Sequence, residues 1–236
     1  MSKPCAFTGQ SLLDHSINSY NVLIKYGFLD DIYYIVVSRR LNALLSKYGT
    51  EISSNEVKQL IELVVKLHDI GKAAEYYQSQ FTDDCRSPVP NPSFVFHEVG
   101  SALFFYHSNY TEDTRIKRLL ALAALNHLNA MRGLKQLKPN ELPKGYKQDM
   151  LKLKKYGSIL MESLGYSFDI RDYDTNDYVL MMNDLINHNE SYLKLYNLFL
   201  APVIIGDSID SHYARGLSER RRFIELLERE LMGEVQ

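Results

Sequence analysis

Cysteine is almost missing from this sequence: Cys5 and Cys85 are the only two among 236 residues. They lack metal-type spacing, which excludes a cysteine-based zinc module. Their scarcity points to a reducing compartment and no disulfide framework. A charge excess is missing too, since 27 Lys and Arg against 29 Asp and Glu leave a formal net charge of -2. The chain as a whole is therefore not an electrostatic nucleic-acid binder, and any such role must rest on a local patch. No apolar run approaches the roughly 20 residues needed to span a bilayer, and the N-terminus has no apolar signal core. A soluble, cytoplasmic protein with no membrane partner is expected. Internal repeats, low-complexity tracts and period-two alternation are also lacking, which leaves helical periodicity as the organising pattern.

What is present is a hydrophobic share of 45%, enough for a real core. The spacing predicts a first helix over Leu12–Tyr26, capped by Ser11 and stopped by Gly27. A second spans Asp31–Lys47, and a third Asn55–Asp69 with Ser54 or Asn55 as cap. Residues 80–96, with Pro88, Pro90 and Pro92, form a long loop, and long loops in compact domains are more often functional or mobile than merely connective. Phe96-His97-Glu98 opens another helix, and a further one runs Thr114–Met131. A basic, broken stretch follows from Arg132 to Lys155, its part over 132–148 a loop; a helix then runs to about Leu164. The last helical region holds Tyr196, Leu200, Val203 and Asp207 at spacings of four, three and four, with Pro202 as a kink or new start. The expected architecture is one all-α domain over 1–236, a helical bundle whose site lies where several helices converge.

The centre of this pattern is Val64-Val65-Lys66-Leu67-His68-Asp69-Ile70-Gly71-Lys72. Ile61 and Val64 share the helical face of His68, which points the ring inward. Gly71 is expected to stop the helix, placing the pair on a last turn. A buried carboxylate beside a buried imidazole is costly unless something cationic compensates both. A divalent metal does so, because neutral His and ionised Asp are both ligands. Singly, a buried histidine is more often a core residue bonded to a carbonyl. Here His15, His97, His127 and Asp207 also face inward from separate helices, and their common explanation is a metal site in a bundle. Asp210, three residues after Asp207, is a second candidate for the same role. His107 and His212 read as surface residues, and His188 as a turn residue.

The series His15, His68-Asp69 within His-Asp-Ile-Gly-Lys, His97, His127 and Asp207 resembles the HD superfamily of metal-dependent phosphohydrolases. Leu12-Leu13-Asp14-His15-Ser16, Phe96-His97-Glu98 and Gly206-Asp207-Ser208-Ile209-Asp210 make it most similar to the stand-alone HD nuclease subunit of type I CRISPR interference. That resemblance implies an all-helical HD domain and DNA cleavage in antiviral defence. It also implies a separate helicase feeding single strands and a CRISPR effector complex as partner. His15, His68, Asp69 and Asp207 would hold a first ion; Asp69 would bridge to a second held by His97 and His127. One departure stands out: where relatives often carry two consecutive histidines, this chain reads Asn126-His127-Leu128. The second ion would then be weakly held or absent. The His-rich donor set suits Mn, Fe, Co, Ni or Zn, and Mg less well. Lys72 would neutralise developing phosphate charge, against an ordinary reading as a solvated lysine. Arg132, Lys135, Lys138, Lys144 and Lys147 would hold a phosphate backbone, with Tyr146 and Tyr156 stacking bases. The rival readings are a phosphohydrolase for small nucleotides and a degenerate binding subunit.

Overall fold

The structure, a computed structural model, describes residues 3–128, 146–187, 190–216, 224–226 and 229–230. Helices α1 (Leu12–Lys25), α2 (Asp31–Leu45) and α3 (Ser54–Leu67) are followed by a one-turn helix α4 (Glu75–Gln78). Then come α5 (His97–His107), α6 (Thr114–Asn126), α7 (Lys154–Ser163), α8 (Thr175–Asn187) and α9 (Asn197–Arg215). The all-α expectation holds, with one addition. Cys5–Phe7 (β1) and Gln10–Ser11 (β2) form an antiparallel hairpin too short to show alternation in sequence. Gly9, at a φ of +87°, supplies its turn.

Local chemistry explains the helix starts. Ser11 caps α1 by accepting from the Asp14 amide, and Gly27, at a φ of +67°, follows its end. The cap of α3 is Ser53, one residue earlier than expected. Ser53 and Glu56 form a reciprocal capping box, with Ser53 N donating to Glu56 Oε2 at 2.8 Å. Pro202 neither breaks nor restarts the last helix but lies inside α9. It is preceded by a 3₁₀ segment, Ser191–Tyr196.

One contiguous apolar cluster runs through the elements, and α5 packs on α6 as α1 packs on α9. Two glycines set how closely these elements approach. A Cβ at Gly206 would lie 2.3 Å from the Ser19 carbonyl oxygen, so glycine lets the backbone of α9 meet that of α1. Gly71 does not stop α3, which ends at Leu67; it sits in a 3₁₀ turn, Ile70–Ala73. Its need for glycine is spatial: a Cβ there would fall 1.9 Å from the His97 carbonyl oxygen. The Gly71 amide donates to Ser101 Oγ at 2.9 Å and ties the turn to α5.

The cysteine expectation is overturned: Cys5 and Cys85 are joined by a disulfide across 80 residues. Two cysteines so far apart carry no spacing signal, and only the fold brings them together. The bond fastens the hairpin to the 80–96 loop, where the Gly9 amide also donates to the Cys85 carbonyl at 2.9 Å. The inference to a reducing compartment drawn from cysteine scarcity falls with it. No helix among the described residues is long and apolar enough to cross a membrane.

Overpacking a backbone contact leaves no flexible side chain to yield. Gly71→Ala is therefore expected to lower stability by about 3 kcal/mol. Denaturant unfolding checks this, and a midpoint equal to wild type would contradict the close approach of the turn to α5.

Candidate metal centre

Three of the four inward histidines sit at helix ends. His68 is the residue after α3, His127 the residue after α6, and His97 opens α5. A helix leaves its last carbonyls without intrahelical partners, and a histidine at that end can satisfy one. His68 Nδ1 donates to the Val65 carbonyl at 2.7 Å, and His127 Nδ1 to the Ala124 carbonyl at 2.5 Å. His97 Nδ1 donates to the Phe94 carbonyl at 2.6 Å across a turn in which Phe96 takes a φ of +74°. A positive φ at a bulky residue is a costly conformation. Here it aims the first residue of α5 inward. In all three rings the Nδ1 proton is spent on a carbonyl, so in the neutral ring Nε2 is a lone pair facing the interior, and it gains a proton only when the ring becomes cationic.

These lone pairs converge on Asp69, which is 2% exposed. Asp69 Oδ1 lies 2.7 Å from His97 Nε2 and 3.3 Å from His127 Nε2. Its other oxygen, Oδ2, lies 3.0 Å from His15 Nε2 and 3.6 Å from His68 Nε2. Asp207 on α9 joins the second group, 3.5 Å from His15 Nε2 and 3.8 Å from His68 Nε2. Two donor sets result, one of His15, His68, Asp69 and Asp207 and one of Asp69, His97 and His127. Asp69 belongs to both, with one oxygen for each.

With every ring neutral, these nitrogens would set lone pair against lone pair, so the centre calls for positive charge. The Nε2 atoms of His15 and His68 are buried without a hydrogen-bond partner, and those of His97 and His127 lie 3.2 Å apart. A cation among them resolves this, and the mixed imidazole and carboxylate donors fit a divalent transition metal. Lys72 already supplies one positive charge. It is buried, not solvated, with Nζ 2.5 Å from Asp69 Oδ2. Burial works to raise the Asp69 pKa, but Lys72, His68 and His97 overcome it and hold the carboxyl well below its usual range. Burial lowers the pKa of His97. At His15 burial also opposes charge, but the Asp210 hydrogen bond and Asp69 outweigh it and raise the pKa to about 9.

Asp207 and Asp210 take different positions around His15. Asp207 faces the centre, whereas Asp210 meets the far edge of the His15 ring, its Oδ2 2.6 Å from Nδ1. The residues flanking His127 add no ligand. Asn126 turns back to donate to the Leu122 carbonyl at 2.8 Å, and Leu128 lines the adjoining cavity.

That cavity, of about 690 Å³, opens onto Asp69, Lys72, His97, His127 and Asp207. Asn91–Val95 of the 80–96 loop form one wall and Phe7 and Thr8 of the hairpin another. Arg215 stands at its rim with its guanidinium 4.7 Å from the Phe7 ring centroid. Sequence reasoning gave Arg215 no role, although Asp207, Ser211 and Arg215 repeat at four-residue spacing on one face of α9. Of the basic residues expected to hold a phosphate backbone, Arg132, Lys135, Lys138 and Lys144 lie outside the described residues, as does His188. Lys147 is exposed, with Nζ over the Tyr76 ring, and is not among the cavity's lining. Tyr146 is not a free base-stacking ring, because it already stacks on Tyr178 at 6.3 Å. His107, expected on the surface, is half-buried and stacks on Tyr173.

A helical bundle with two His-Asp donor sets sharing one buried aspartate defines an HD-type metal-dependent phosphohydrolase. No family model matches the chain. It is 44% identical to the CRISPR-associated endonuclease Cas3-HD of Saccharolobus solfataricus over 99% of its own length and 98% of that protein. A protein of the same description from Methanocaldococcus jannaschii is 37% identical over 81 residues, 34% of this chain and 30% of that one. The solved Cas3 HD domain protein from Methanocaldococcus jannaschii shares the fold, with a TM-score of 0.53 at 20% identity, covering 88% of this chain and 100% of that one. The chain belongs to the CRISPR-associated Cas3-HD endonuclease family, and it is a nuclease.

The raised pKa of His15 has a measurable consequence. A folded-state value of about 9 against the ordinary 6.5 means the His15 proton stabilises the metal-free protein fully below 6.5 and is lost as pH rises through 9. A metal needs the neutral ring and competes with that proton. Metal binding is expected to release a proton and to tighten between pH 6.5 and 9. Calorimetric titration in buffers of different protonation enthalpy measures this, and pH-independent affinity across that window would contradict it.

Proposed function

We propose that this nuclease hydrolyses phosphodiester bonds of single-stranded DNA in CRISPR antiviral defence, in the cytoplasm. A separate helicase would feed it strands, in company with a CRISPR effector complex. The observation that carries the reading is the double donor set around Asp69 at the base of an open cavity. His15, His68, Asp69 and Asp207 would hold one divalent ion; Asp69, His97 and His127 would hold a second with fewer ligands, for lack of a second adjacent histidine. Mn, Ni, Co, Fe, Zn and Mg are the candidates. Bound there, a divalent metal supplies water acidified toward a pKa of about 7 and neutralises charge on phosphoryl oxygens.

The protein's own residues do the rest. Three backbone carbonyls and Asp210 fix the histidine tautomers, so that no ring must rotate when the site is filled. Lys72 keeps Asp69 ionised and places an ammonium at the cavity floor, where it would offset charge developing on the phosphate. Arg215 at the rim, over the Phe7 ring, suits a flanking phosphate. A cavity walled by a loop and a hairpin, with charge at its mouth, favours a polymer over a mononucleotide.

Cleavage of labelled single-stranded DNA, single-stranded RNA and duplex DNA, each with Mg, Mn, Ni or EDTA, tests the reading. Cutting is expected only with a divalent ion, and fastest on single-stranded DNA. His68→Ala and Asp69→Ala should each lose roughly 1,000-fold, about 4 kcal/mol of transition-state stabilisation. Cutting that survives EDTA, or hydrolysis of mononucleotides with polymers left intact, would contradict it.

Arg215→Ala should weaken binding of single-stranded DNA and make the salt dependence shallower, by about 0.7 in the slope of log affinity against log salt. An unchanged slope would remove Arg215 from the binding path.

A further inference from the structure

His15 differs from the other three site histidines in what holds its Nδ1. His68, His97 and His127 each donate to a main-chain carbonyl three residues back, whereas His15 meets the Asp210 carboxylate. The reason lies in the helix. His15 sits in the first turns of α1, where carbonyls already accept intrahelical bonds and only amides are spare. No carbonyl is free to fix the ring, so the acceptor must come from another element.

Asp210 on α9 provides it at 2.6 Å, and the contact is buried on both sides. Asp210 is in turn held by Gln10 of β2, whose Nε2 donates to Oδ2 at 3.0 Å and Oδ1 at 3.3 Å. Gln10 is itself buried, and its Oε1 has no hydrogen-bond partner. The glutamine therefore spends one end of its amide on Asp210 at the expense of the other. A buried carboxylate held by a neutral donor and directed at a ligand histidine makes that imidazole more basic and locks its orientation.

We propose that Asp210, steadied by Gln10, is the positioning residue for His15. It presents the His15 Nε2 lone pair to the metal and strengthens it as a donor, without touching the ion itself. This rests on the reading of His15 as a metal ligand.

Calorimetric titration of the metal-free protein with Mn(II) alone tests it, using wild type, His15→Ala, Asp210→Ala, Asp210→Asn and Gln10→Ala. Asp210→Ala removes both acceptor and charge, and should bind Mn(II) 10–100-fold more weakly. Asp210→Asn keeps an acceptor for the His15 N–H and can face the spare Oε1 of a flipped Gln10. Its loss should be smaller than that of the alanine variant. Gln10→Ala should lose less still. Nuclease rate should follow the same order at limiting Mn(II) and recover toward wild type at saturating Mn(II), which a purely structural defect would not do. Should Asp210→Ala fail to fold, by circular dichroism, the asparagine and Gln10 variants decide. Wild-type affinity in Asp210→Asn and Gln10→Ala, or losses that excess Mn(II) does not rescue, would overturn the role of Asp210. If wild type binds no Mn(II), or His15→Ala binds it equally well, the metal reading of His15 falls and this proposal with it.

Discussion

One buried carboxylate constrains the rest of the structure. Asp69 is ionised and almost wholly removed from water, and isolated charge in that setting is prohibitively costly. Lys72 offsets part of that cost, but four imidazole Nε2 atoms also crowd the same two oxygens. With three Nδ1 protons committed to carbonyls and one to Asp210, these nitrogens have no protons to share unless a ring becomes cationic. In the metal-free protein a raised His15 pKa is the partial answer. A divalent ion is the fuller one, and the arrangement makes sense as a cage that is complete only when positive charge sits inside it.

The fold delivers this cage through helix termini and close backbone contacts. The ends of α3 and α6 supply free carbonyls that orient His68 and His127. The left-handed turn at Phe96 delivers His97, and Gly71 lets the turn that follows Asp69 press against the backbone at His97. On the other side, Gly206 lets α9 meet α1, so that Asp207 and Asp210 reach His15 from opposite edges of its ring. Small residues set the distances, and the histidines set the chemistry. The disulfide-tied hairpin and the 80–96 loop then wall the cavity above the cage.

Much of this is written in the sequence, because helical spacing tells inward from outward. Ile61 and Val64 orient His68, Leu120 and Ala123 orient His127, and Leu200 and Val203 orient Asp207. The all-α class and most of the helices follow from the same periodicity, but α4 and α8 are not expected from it. What spacing cannot carry is distance. Asp207 and Asp210 lie on nearly the same face of one helix, and only their separations from the two ring nitrogens of His15 assign them different neighbours. Gly71 reads as a helix stop, but its real constraint is an atom from a helix some 26 residues later in the chain. Lys72 follows the helix end and reads as solvated, yet packing pulls it onto Asp69. Cys5 and Cys85 are the plainest case, since two residues with no mutual spacing signal are joined by tertiary structure alone.

The most direct measurement is anomalous scattering from crystals grown with Mn(II), collected on both sides of the manganese edge. A strong peak is expected, bounded by the Nε2 atoms of His15 and His68 and the carboxylates of Asp69 and Asp207. A second peak, weaker for want of ligands, should stand beside His97 and His127, with Asp210 outside the coordination of both. A crystal with no peak at this centre, or with manganese bound only elsewhere, would contradict the central claim that the four histidines and Asp69 are a metal cage.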